Sequence, residues 1–246
     1  RYLLIRGRND AKTSANREVG VMSSMFTYGV ELAIVERNPC LRVKRHKIGP
    51  RERYVEDWEL EAFSGVCGEL LNCYVDLKYL TGLRETDMLL LTLDNIRDNG
   101  LFVRPSKTKN STGEPRLYEW VTELKEVVDR IMALPRPKFA THLFCKKNGA
   151  PFITPDLETE AFGYIWGKAM NKALKETKLK VRFQEKDLRA KAATDADDEG
   201  HDATELLGHG DRRTTKIYLR GKKIKKVMPY VPSKKNSNPN NDKEDT

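Results

Sequence analysis

T-G-L-R-E-T-D-M-L-L-L, residues 81–91, is the stretch that decides the fold of this chain. Apolar residues recur at helical spacing from Glu69 to Leu80. Gly82 then lies where the end of a helix needs the left-handed conformation, which glycine adopts without steric cost. A short second helix is predicted from Arg84 to Leu91. Taken alone, Arg84 is most simply a surface charge, so the stretch predicts local structure and leaves its function open.

Toward the N-terminus, the sequence predicts one amphipathic helix from Ser14 to Glu36, with Ser14 as its cap. The pair Asn38-Pro39 is predicted to end it, because the residue before a proline is disfavoured in the α region. A helix with one apolar face needs a partner. We therefore interpret residues 1–39 as the C-terminal part of a helical domain whose beginning lies upstream.

Two basic segments carry the net charge of +9. Residues 42–53 hold six Lys or Arg against one acid, residues 220–235 hold seven against none, and the remainder is net negative. Such segments are typical of contacts with a polyanion, and solvated linkers are the alternative interpretation. We interpret residues 40–55 as a basic interdomain linker. Its predicted DNA-binding residues are Arg42, Lys44, Arg45, Lys47, Arg51 and Arg53.

Residues 56–231 are interpreted as a second domain, in which helices predominate and one small antiparallel sheet lies early. The predicted fold class is α+β and mostly helical, and residues 232–246 are predicted to be a disordered tail because they are rich in Asn, Ser, Lys and Asp. A long helix is expected to begin at Thr154-Pro155-Asp156, which combines an N-cap, a first-turn proline and an acid. Strands are predicted at 93–96, 101–106 and 115–121, and helices at 55–67, from 122, at 154–177, 184–196, 202–207 and 212–219.

Composition excludes several classes of protein. No run of 18 apolar residues is present, so the sequence predicts no transmembrane helix. The four cysteines form no CxxC pair, which favours reduced thiols in a cytosolic protein. The acids of residues 197–199 lie near His201 and His209, but their spacing matches no known metal motif. The sequence therefore predicts no metal site.

Two cations on the predicted helix 184–196 indicate an anion site. Lys186 and Arg189 are three residues apart and share one helix face, and the small residues around them favour close burial of that helix. A buried cation needs a compensating anion. From the residues alone, a ligand and an acid from the cluster 195–202 satisfy that need equally well.

A second candidate segment, L-L-G-H-G-D-R-R-T-T-K-I-Y, spans residues 206–218. A single tyrosine on a helix usually packs with its hydroxyl in water, and a histidine after glycine is usually a turn residue. The joint occurrence of His209 and Tyr218 with Arg84 and the K-x-x-R pair changes that interpretation.

Together these boxes resemble the tyrosine recombinase, or phage integrase, family. They are T-G-L-R-E-T-D-M-L-L-L, K-D-L-R, L-L-G-H and T-T-x-x-Y, and Pro105-Ser106-Lys107-Thr108 resembles the family's lysine-bearing β-turn. The resemblance covers Val55 to about Pro229, and residues 16–39 resemble the last helix of the core-binding domain. The fold it implies is the family's catalytic domain, preceded by the tail of a helical domain. The order and spacing of five boxes make the match specific.

The resemblance implies a metal-independent cut in DNA with Tyr218 as the nucleophile, leaving a 3′-phosphotyrosyl bond and a free 5′-hydroxyl. Arg84 and Arg189 would stabilise the non-bridging phosphate oxygens, because guanidinium groups donate in pairs. Lys107 would be the general acid, with Lys109 as the competing candidate.

Three further residues follow from the same resemblance. Lys186 stands where the family most often has histidine, and since an unperturbed lysine is protonated at neutral pH, the general base toward Tyr218 is left unassigned. His209 would hydrogen-bond to a non-bridging oxygen. Asp87 would orient the site through a hydrogen bond.

The function implied is that of a phage-type integrase, a site-specific DNA recombinase without a cofactor. Its expected partners are double-stranded DNA attachment sites, three further copies in a homotetramer on DNA (with a monomer in isolation) and accessory DNA-bending proteins, and no membrane is expected. The expected location is on DNA in the cytoplasm of a bacterial or phage-infected cell. The alternatives are a non-catalytic DNA-binding relative and a strand-passage enzyme of the type IB topoisomerase kind.

Overall fold

The computed structural model describes residues 1–8, 11–49, 51–106 and 114–220 of this 246-residue chain. Its first part is a pair of helices, α1 (Tyr2–Arg6) and α2 (Lys12–Glu31). Leu3 of α1 packs on Ala15 and Val19 of α2, which forms a small apolar cluster. No periodicity in residues 1–13 predicts α1.

Helix α2 differs from its predicted bounds at both ends. It begins at Lys12 with Ala11 as its N-cap and no side-chain cap, so the prediction of Ser14 as the cap is wrong. It ends at Glu31, and Ala33 adopts the left-handed conformation, with φ 54°. Asn38 has a different role from the one predicted, because its Nδ2 donates to Ser23 O at 2.8 Å and fastens the returning chain to α2.

The linker also returns along α2. The side chain of Asn16 and the backbone of His46 exchange two hydrogen bonds of 2.9 Å each, and Arg45 donates to Asn16 O at 2.7 Å. From Val43 to Gly49 the backbone forms neither helix nor strand. The predicted linker is therefore irregular, and its first half is held in place by side-chain hydrogen bonds.

The second part of the chain is mostly helical. Its central helix is α4, which ends at Gly82 in the left-handed conformation, with φ 58°, as the sequence predicts. Most of the side chains of α4 are buried, and both α6 and α8 pack against this helix. The helices are α3 (Asp57–Ser64), α4 (Glu69–Thr81), α5 (Glu85–Leu89), α6 (Thr122–Ala133), α7 (Glu160–Glu176), α8 (Glu185–Asp198), α9 (Ala203–Leu207) and α10 (Arg212–Lys216).

Aromatic side chains form the centre of the core. The Phe63 and Trp166 rings lie 4.6 Å apart, and the Tyr74 and Phe162 rings 4.4 Å apart, measured between centroids. Phe183 meets the Phe63 ring edge-on at 5.3 Å. Because these residues come from α3, α4, α7 and the segment before α8, the aromatic cluster fixes these helices relative to one another.

The small sheet has three antiparallel strands in chain order, β1 (Ile96–Arg97), β2 (Gly100–Val103) and β3 (Arg116–Glu119). Leu101 pairs with Tyr118 across β2 and β3. The predicted strand at 93–96 is wrong over most of its length, because Leu93–Asn95 is a 3-10 turn closed by the Thr92 and Asn95 side chains. The predicted class, a mostly helical α+β fold with a small antiparallel sheet, is confirmed.

Helix α7 begins later than the sequence predicts. Thr154, Pro155 and Asp156 belong to a separate turn, in which Leu157 N donates to Thr154 O at 2.9 Å and Glu158 N to Thr154 Oγ1 at 3.1 Å. Leu157 has φ 64°, which a continuous helix does not allow. The capping signature therefore closes a turn, and the helix starts at Glu160.

Candidate active site

The turn between α4 and α5 holds Arg84. Gly82 reverses the chain, Leu83 enters the core, and Arg84 becomes the N-cap residue of α5. Lys78 fastens this turn, since its Nζ donates to Leu83 O at 2.8 Å and pairs with Glu185 of α8. The Arg84 side chain is 20% exposed and remains open toward a cavity.

Asp87 connects Arg84 to the loop that follows β2. Its buried carboxylate lies 3.7 Å from Arg84 Nη1, and its Oδ1 accepts hydrogen bonds of 2.8 Å from both the backbone N and the Oγ of Ser106. Lys107 and Lys109 follow Ser106 and lie outside the described residues. The contacts agree with the orienting role predicted for Asp87, which itself stays a prediction.

Helix α8 brings Arg189 into the interior. Ala190, Ala192 and Ala193 are buried, so the helix lies close to its neighbours. The Arg189 guanidinium donates to Gly82 O through Nη1 and to Leu207 O at 3.0 Å through Nη2. Burial, followed by the charge of Arg84, lowers the pKa of Arg189 to about 10. The guanidinium is thus held by carbonyl oxygens, and its positive charge is poorly compensated.

Asp195, the first acid of the cluster that could have neutralised these cations, is engaged elsewhere. Asp195 pairs with Lys191 at 2.9 Å and accepts hydrogen bonds from Tyr54 and Tyr79. Among the residues that the structure describes, no carboxylate forms an ion pair with Arg189. Of the two interpretations of the K-x-x-R pair, the structure favours the anion site for Arg189.

His209 lies on the loop between α9 and α10 and is held in one tautomer. Its Nε2 lies 3.0 Å from Arg189 Nη2 and its Nδ1 2.9 Å from Thr215 Oγ1. A guanidinium can only donate, so Nε2 accepts and the proton resides on Nδ1, which donates to Thr215. Burial, then the charges of Arg189, Arg84 and Arg116, lower the pKa of His209 to about 4. The imidazole is therefore neutral near pH 7.

Tyr218 follows α10 and faces both of these groups. Its ring centroid lies 5.1 Å from Arg189 Cζ and 5.3 Å from the centroid of the His209 ring. Its backbone N donates to Thr215 O at 2.8 Å, which holds the tyrosine one turn beyond the helix. The structure therefore places Tyr218 in contact with both Arg189 and His209. The sequence boxes predict that these three residues lie together.

A cavity of about 240 Å³ opens between these elements. Cations outnumber carboxylates in its wall by six to two, so the cavity is strongly positive. Burial, then the neighbouring Glu185, raises the pKa of Glu85, one of the two carboxylates. Lys186 is exposed at this wall, one turn before Arg189. The lining residues are Arg51, Lys78, Arg84, Glu85, Glu185, Lys186, Arg189, Tyr218 and Arg220.

Two of the cations that line this cavity were not singled out by the sequence. Lys78 is buried in α4, and the signal for it was a lysine in the last turn of an otherwise apolar helix. Arg220 was counted only as part of the basic run 220–235; its Nε donates to Arg53 O at 3.2 Å. Both depend on contacts between segments that are distant in sequence, which no local pattern encodes.

The six predicted DNA-binding residues fall into two groups. Arg42, Lys44 and Lys47 are exposed. The other three have partners within the protein: Arg45 binds Asn16 O, Arg51 pairs with Asp187 at 2.6 Å and Arg53 with Glu59 at 2.7 Å. Only the first group presents unengaged cations on the linker surface. DNA binding by any of the six stays a prediction.

Neither a metal-binding cluster nor a membrane-spanning helix is found in the described part of the chain. Its residues include no group of three His, Cys, Asp or Glu side chains placed to hold a metal ion. Nor does it contain a helix with the length and apolar character needed to cross a bilayer.

Comparison with known families shows which family the chain belongs to. Residues 60–224 match the model of the phage integrase family, which is more than half of the chain. The chain belongs to the phage integrase family. The resemblance inferred from the sequence boxes is confirmed, and all the described candidate residues from Arg84 to Tyr218 lie within the matched range.

Named recombinases are among the relatives of this phage integrase family member. Tyrosine recombinase XerC of Lacticaseibacillus casei (strain BL23) is 27% identical over 234 residues, covering 88% of this chain and 75% of that protein. Tyrosine recombinase XerC of Pelotomaculum thermopropionicum is 24% identical over 230 residues, covering 88% and 74%.

Solved integrase structures share the fold. A lambda integrase tetramer bound to a Holliday junction superposes with a TM-score of 0.73 at 18% identity, over 92% of this chain. This chain covers 65% of that integrase. The Tn1549 transposon integrase in complex with circular intermediate DNA gives a TM-score of 0.66 at 15% identity, covering 89% and 78%. At such identities the likeness shows the fold alone.

Proposed function

We propose that this chain is a site-specific DNA recombinase of the phage integrase kind, which cuts and rejoins DNA through a 3′-phosphotyrosyl intermediate without a metal. One observation carries the proposal: Tyr218, Arg84 and Arg189 line a single positive cavity, with Tyr218 directly beside Arg189. Phosphate binding alone does not require a tyrosine at that place, so the arrangement supports catalysis over a purely DNA-binding relative.

The reaction balances with these groups. The phenol of Tyr218 gives up its proton to solvent, since no general base is assigned, and its oxygen attacks the phosphorus. The bond from phosphorus to the 5′-oxygen breaks, and Lys107 gives its proton to that oxygen. The 5′-hydroxyl of a partner strand later attacks the phosphotyrosine and returns its proton to Lys107, and Tyr218 leaves as a phenolate that regains a proton from solvent. Bond energy is conserved, so no energy source is needed.

The two arginines would supply the stabilisation of the transition state. Negative charge grows on the non-bridging oxygens as phosphorus becomes five-coordinate. Arg189 is already desolvated and fixed by two carbonyl oxygens, so only its hydrogen bond to His209 has to change before that charge develops. Arg84 is held near Asp87 with part of its side chain open to the cavity. Loss of one such donor costs roughly 10²–10³ in rate.

His209 and Lys186 would have different parts. Because Nε2 of His209 accepts from Arg189, the histidine holds that guanidinium before DNA arrives. A bound phosphate competes for the same N–H and frees His209 to rearrange toward a non-bridging oxygen. Lys186, exposed at the cavity wall, would contribute a charge to the phosphate.

The relatives indicate the partners. The structures that share this fold include an integrase tetramer on a Holliday junction and an integrase on circular intermediate DNA. By this likeness we assign double-stranded attachment sites as the substrate, a homotetramer on DNA and a monomer in isolation. Accessory DNA-bending proteins and a location on DNA in the cytoplasm belong to the same proposal.

The proposed organisation places two domains around the duplex. Residues 1–39 would be the end of a core-binding domain, 40–55 a linker along the DNA backbone and 56–231 the catalytic domain. The separate apolar cluster of α1 and α2 and the irregular backbone after Val43 support this division. The predicted disordered tail, residues 232–246, lies outside the described residues.

A nicked suicide substrate tests the proposal. A half-site from the attachment site of the protein's own element, nicked so that the short 5′-hydroxyl strand diffuses away, traps any phosphotyrosyl adduct. We expect a covalent adduct with the full-length protein in the presence of EDTA, mapped to Tyr218 by mass spectrometry, and none with Tyr218→Phe. DNA binding without an adduct would refute catalysis. Relaxation of a supercoiled plasmid that lacks the site would favour the topoisomerase alternative.

A further inference from the structure

Arg116 is a half-buried arginine for which the reaction described above has no use. It is the first residue of β3. Its Nη1 donates to Leu206 O at 3.1 Å and to Tyr118 Oη at 2.9 Å. Leu206 lies three residues before His209. The side chain thus joins the sheet to the loop that carries His209.

Gly208 shows how closely the two parts approach. It has φ 60°, and a Cβ at this position would lie 2.5 Å from Arg116 Cζ. The His209 loop therefore rests directly on the guanidinium, with no room for a side chain between them.

The position of the Arg116 guanidinium carries a cost in the free energy of folding. Nε and Nη2 of Arg116 are buried and have no hydrogen-bond partner within the described residues. Buried donors without partners cost roughly 1–3 kcal/mol each, and more when charged. Arg116 does not line the cavity of Tyr218, so a phosphate there would not compensate its charge. If Arg116 only packed the sheet against the loop, an uncharged side chain would do so at a lower cost in free energy.

We propose that Arg116 is a positioning residue for the cleavage reaction, which holds the His209 loop against strand β3 and whose charge opposes protonation of His209. This proposal rests on the proposed function.

The groups around His209 support this assignment. The cations that lower its pKa are Arg189 from α8, Arg84 from the start of α5 and Arg116 from β3, and its other neighbours are Thr215 and the Tyr218 ring. A bound phosphate would neutralise Arg84 and Arg189. Arg116 is then the remaining cation that opposes protonation of His209.

Two substitutions separate charge from geometry. Arg116→Met removes both, whereas Arg116→Lys keeps the charge and loses the paired donors of the guanidinium. Arg97→Met removes an exposed arginine from β1 of the same sheet and serves as the matched control.

Two measurements follow. In ¹⁵N NMR of the full-length protein, His209 should be the Nδ1–H tautomer and neutral down to about pH 4. Arg116→Met should raise its pKa, and Arg116→Lys should restore it. In single-turnover cleavage of the nicked substrate, both substitutions should slow the reaction roughly ten- to a hundredfold. Only Arg116→Met should move the acid limb of the pH–rate profile to higher pH.

The outcomes are distinguishable. Absence of an adduct with the wild-type protein would overturn the proposed function, while the NMR titration would still test the contact of Arg116 with His209. Wild-type cleavage together with an unchanged His209 titration and rate in Arg116→Met would overturn this proposal. Equal effects of Arg97→Met would do so as well. If Arg116→Met does not fold, the rate and titration of Arg116→Lys decide.

Discussion

The guanidinium of Arg189 is hydrogen-bonded to neutral acceptors, and no carboxylate of the described residues pairs with it. Carbonyl oxygens of Gly82 and Leu207 and the imidazole of His209 accept its hydrogen bonds, and burial lowers its pKa to about 10. Full neutralisation by an acid would have stabilised the empty protein and weakened its attraction for an anion. The residue therefore accepts an electrostatic penalty that a phosphate can relieve.

A pH-dependent stability follows from His209. Its pKa is about 6.5 in an unfolded chain and about 4 in the fold. Between these values the unfolded chain binds the extra proton, so this group's contribution to stability should be lost as the pH falls from about 6.5 to about 4. Urea unfolding at several pH values measures the effect.

Two substitutions make that measurement specific. In His209→Gln the free energy of unfolding should depend less on pH within this window. His201→Gln, which alters an exposed histidine in the same region, should behave as the wild type does. An identical pH dependence in all three proteins would contradict the buried, neutral state of His209.

At the scale of elements, the α4–α5 turn depends on Gly82. Alanine there must adopt φ 58°, which costs roughly 1–2 kcal/mol, and its Cβ would lie 2.9 Å from Leu207 Cδ2. We expect Gly82→Ala to lower the free energy of unfolding by at least this amount. Chemical denaturation checks the change.

A glycine-to-alanine substitution in α7 should have the opposite effect on the free energy of unfolding. Gly163 is an exposed helical glycine whose added Cβ meets no atom within 4 Å. Gly163→Ala should therefore stabilise the protein, by up to about 1 kcal/mol. If both substitutions destabilise equally, the backbone conformation assigned to Gly82 is not what limits that turn.

Elements whose signals are local could be predicted from the sequence. The end of α4 at Gly82 and the start of α6 at Thr122 follow from glycine conformation and helical periodicity. The start of α7 was wrong because a Thr-Pro-Asp signature caps an isolated turn as well as it caps a helix. The choice between the two lies in the left-handed Leu157, which no propensity predicts.

In the candidate site, too, residues with a local signal were predicted and residues that depend on long-range contacts were not. Arg84, Arg189, His209 and Tyr218 were predicted from boxes of conspicuous residue types, and the structure brings them together. Lys78 and Arg116 were not predicted as site residues. They act across elements, through the Leu83 and Leu206 carbonyl oxygens, and such contacts exist only after the segments have packed.

For the whole molecule, charge placement predicts how DNA binding responds to salt. Arg42, Lys44 and Lys47 are exposed cations of the linker, and none of them forms an ion pair with a described residue. If each contacts a phosphate, changing all three to Gln should make the slope of log K against log salt less negative by up to about 3. Fluorescence anisotropy with a labelled duplex over a salt series measures that slope.

A control with equal charge makes the salt experiment decisive. Lys125, Lys138 and Lys147 are exposed and lie in the second part of the chain, outside the linker. Their triple change to Gln removes the same total charge, and we expect it to leave the slope close to that of the wild type. Equal slopes for the two triple variants would mean that the linker does not follow the DNA backbone.

The distance in sequence between Arg84 and Tyr218 limits which forms of the chain can cut DNA. By the proposed mechanism, Tyr218 cannot cut DNA until guanidinium groups from other parts of the chain surround it. The segments that carry Arg84 and Tyr218 must both be synthesised and folded before the centre exists. Partial unfolding or cleavage of the chain separates these two residues again. We expect the protein to be either an intact recombinase or an inert chain, so that damaged copies do not become stray nucleases.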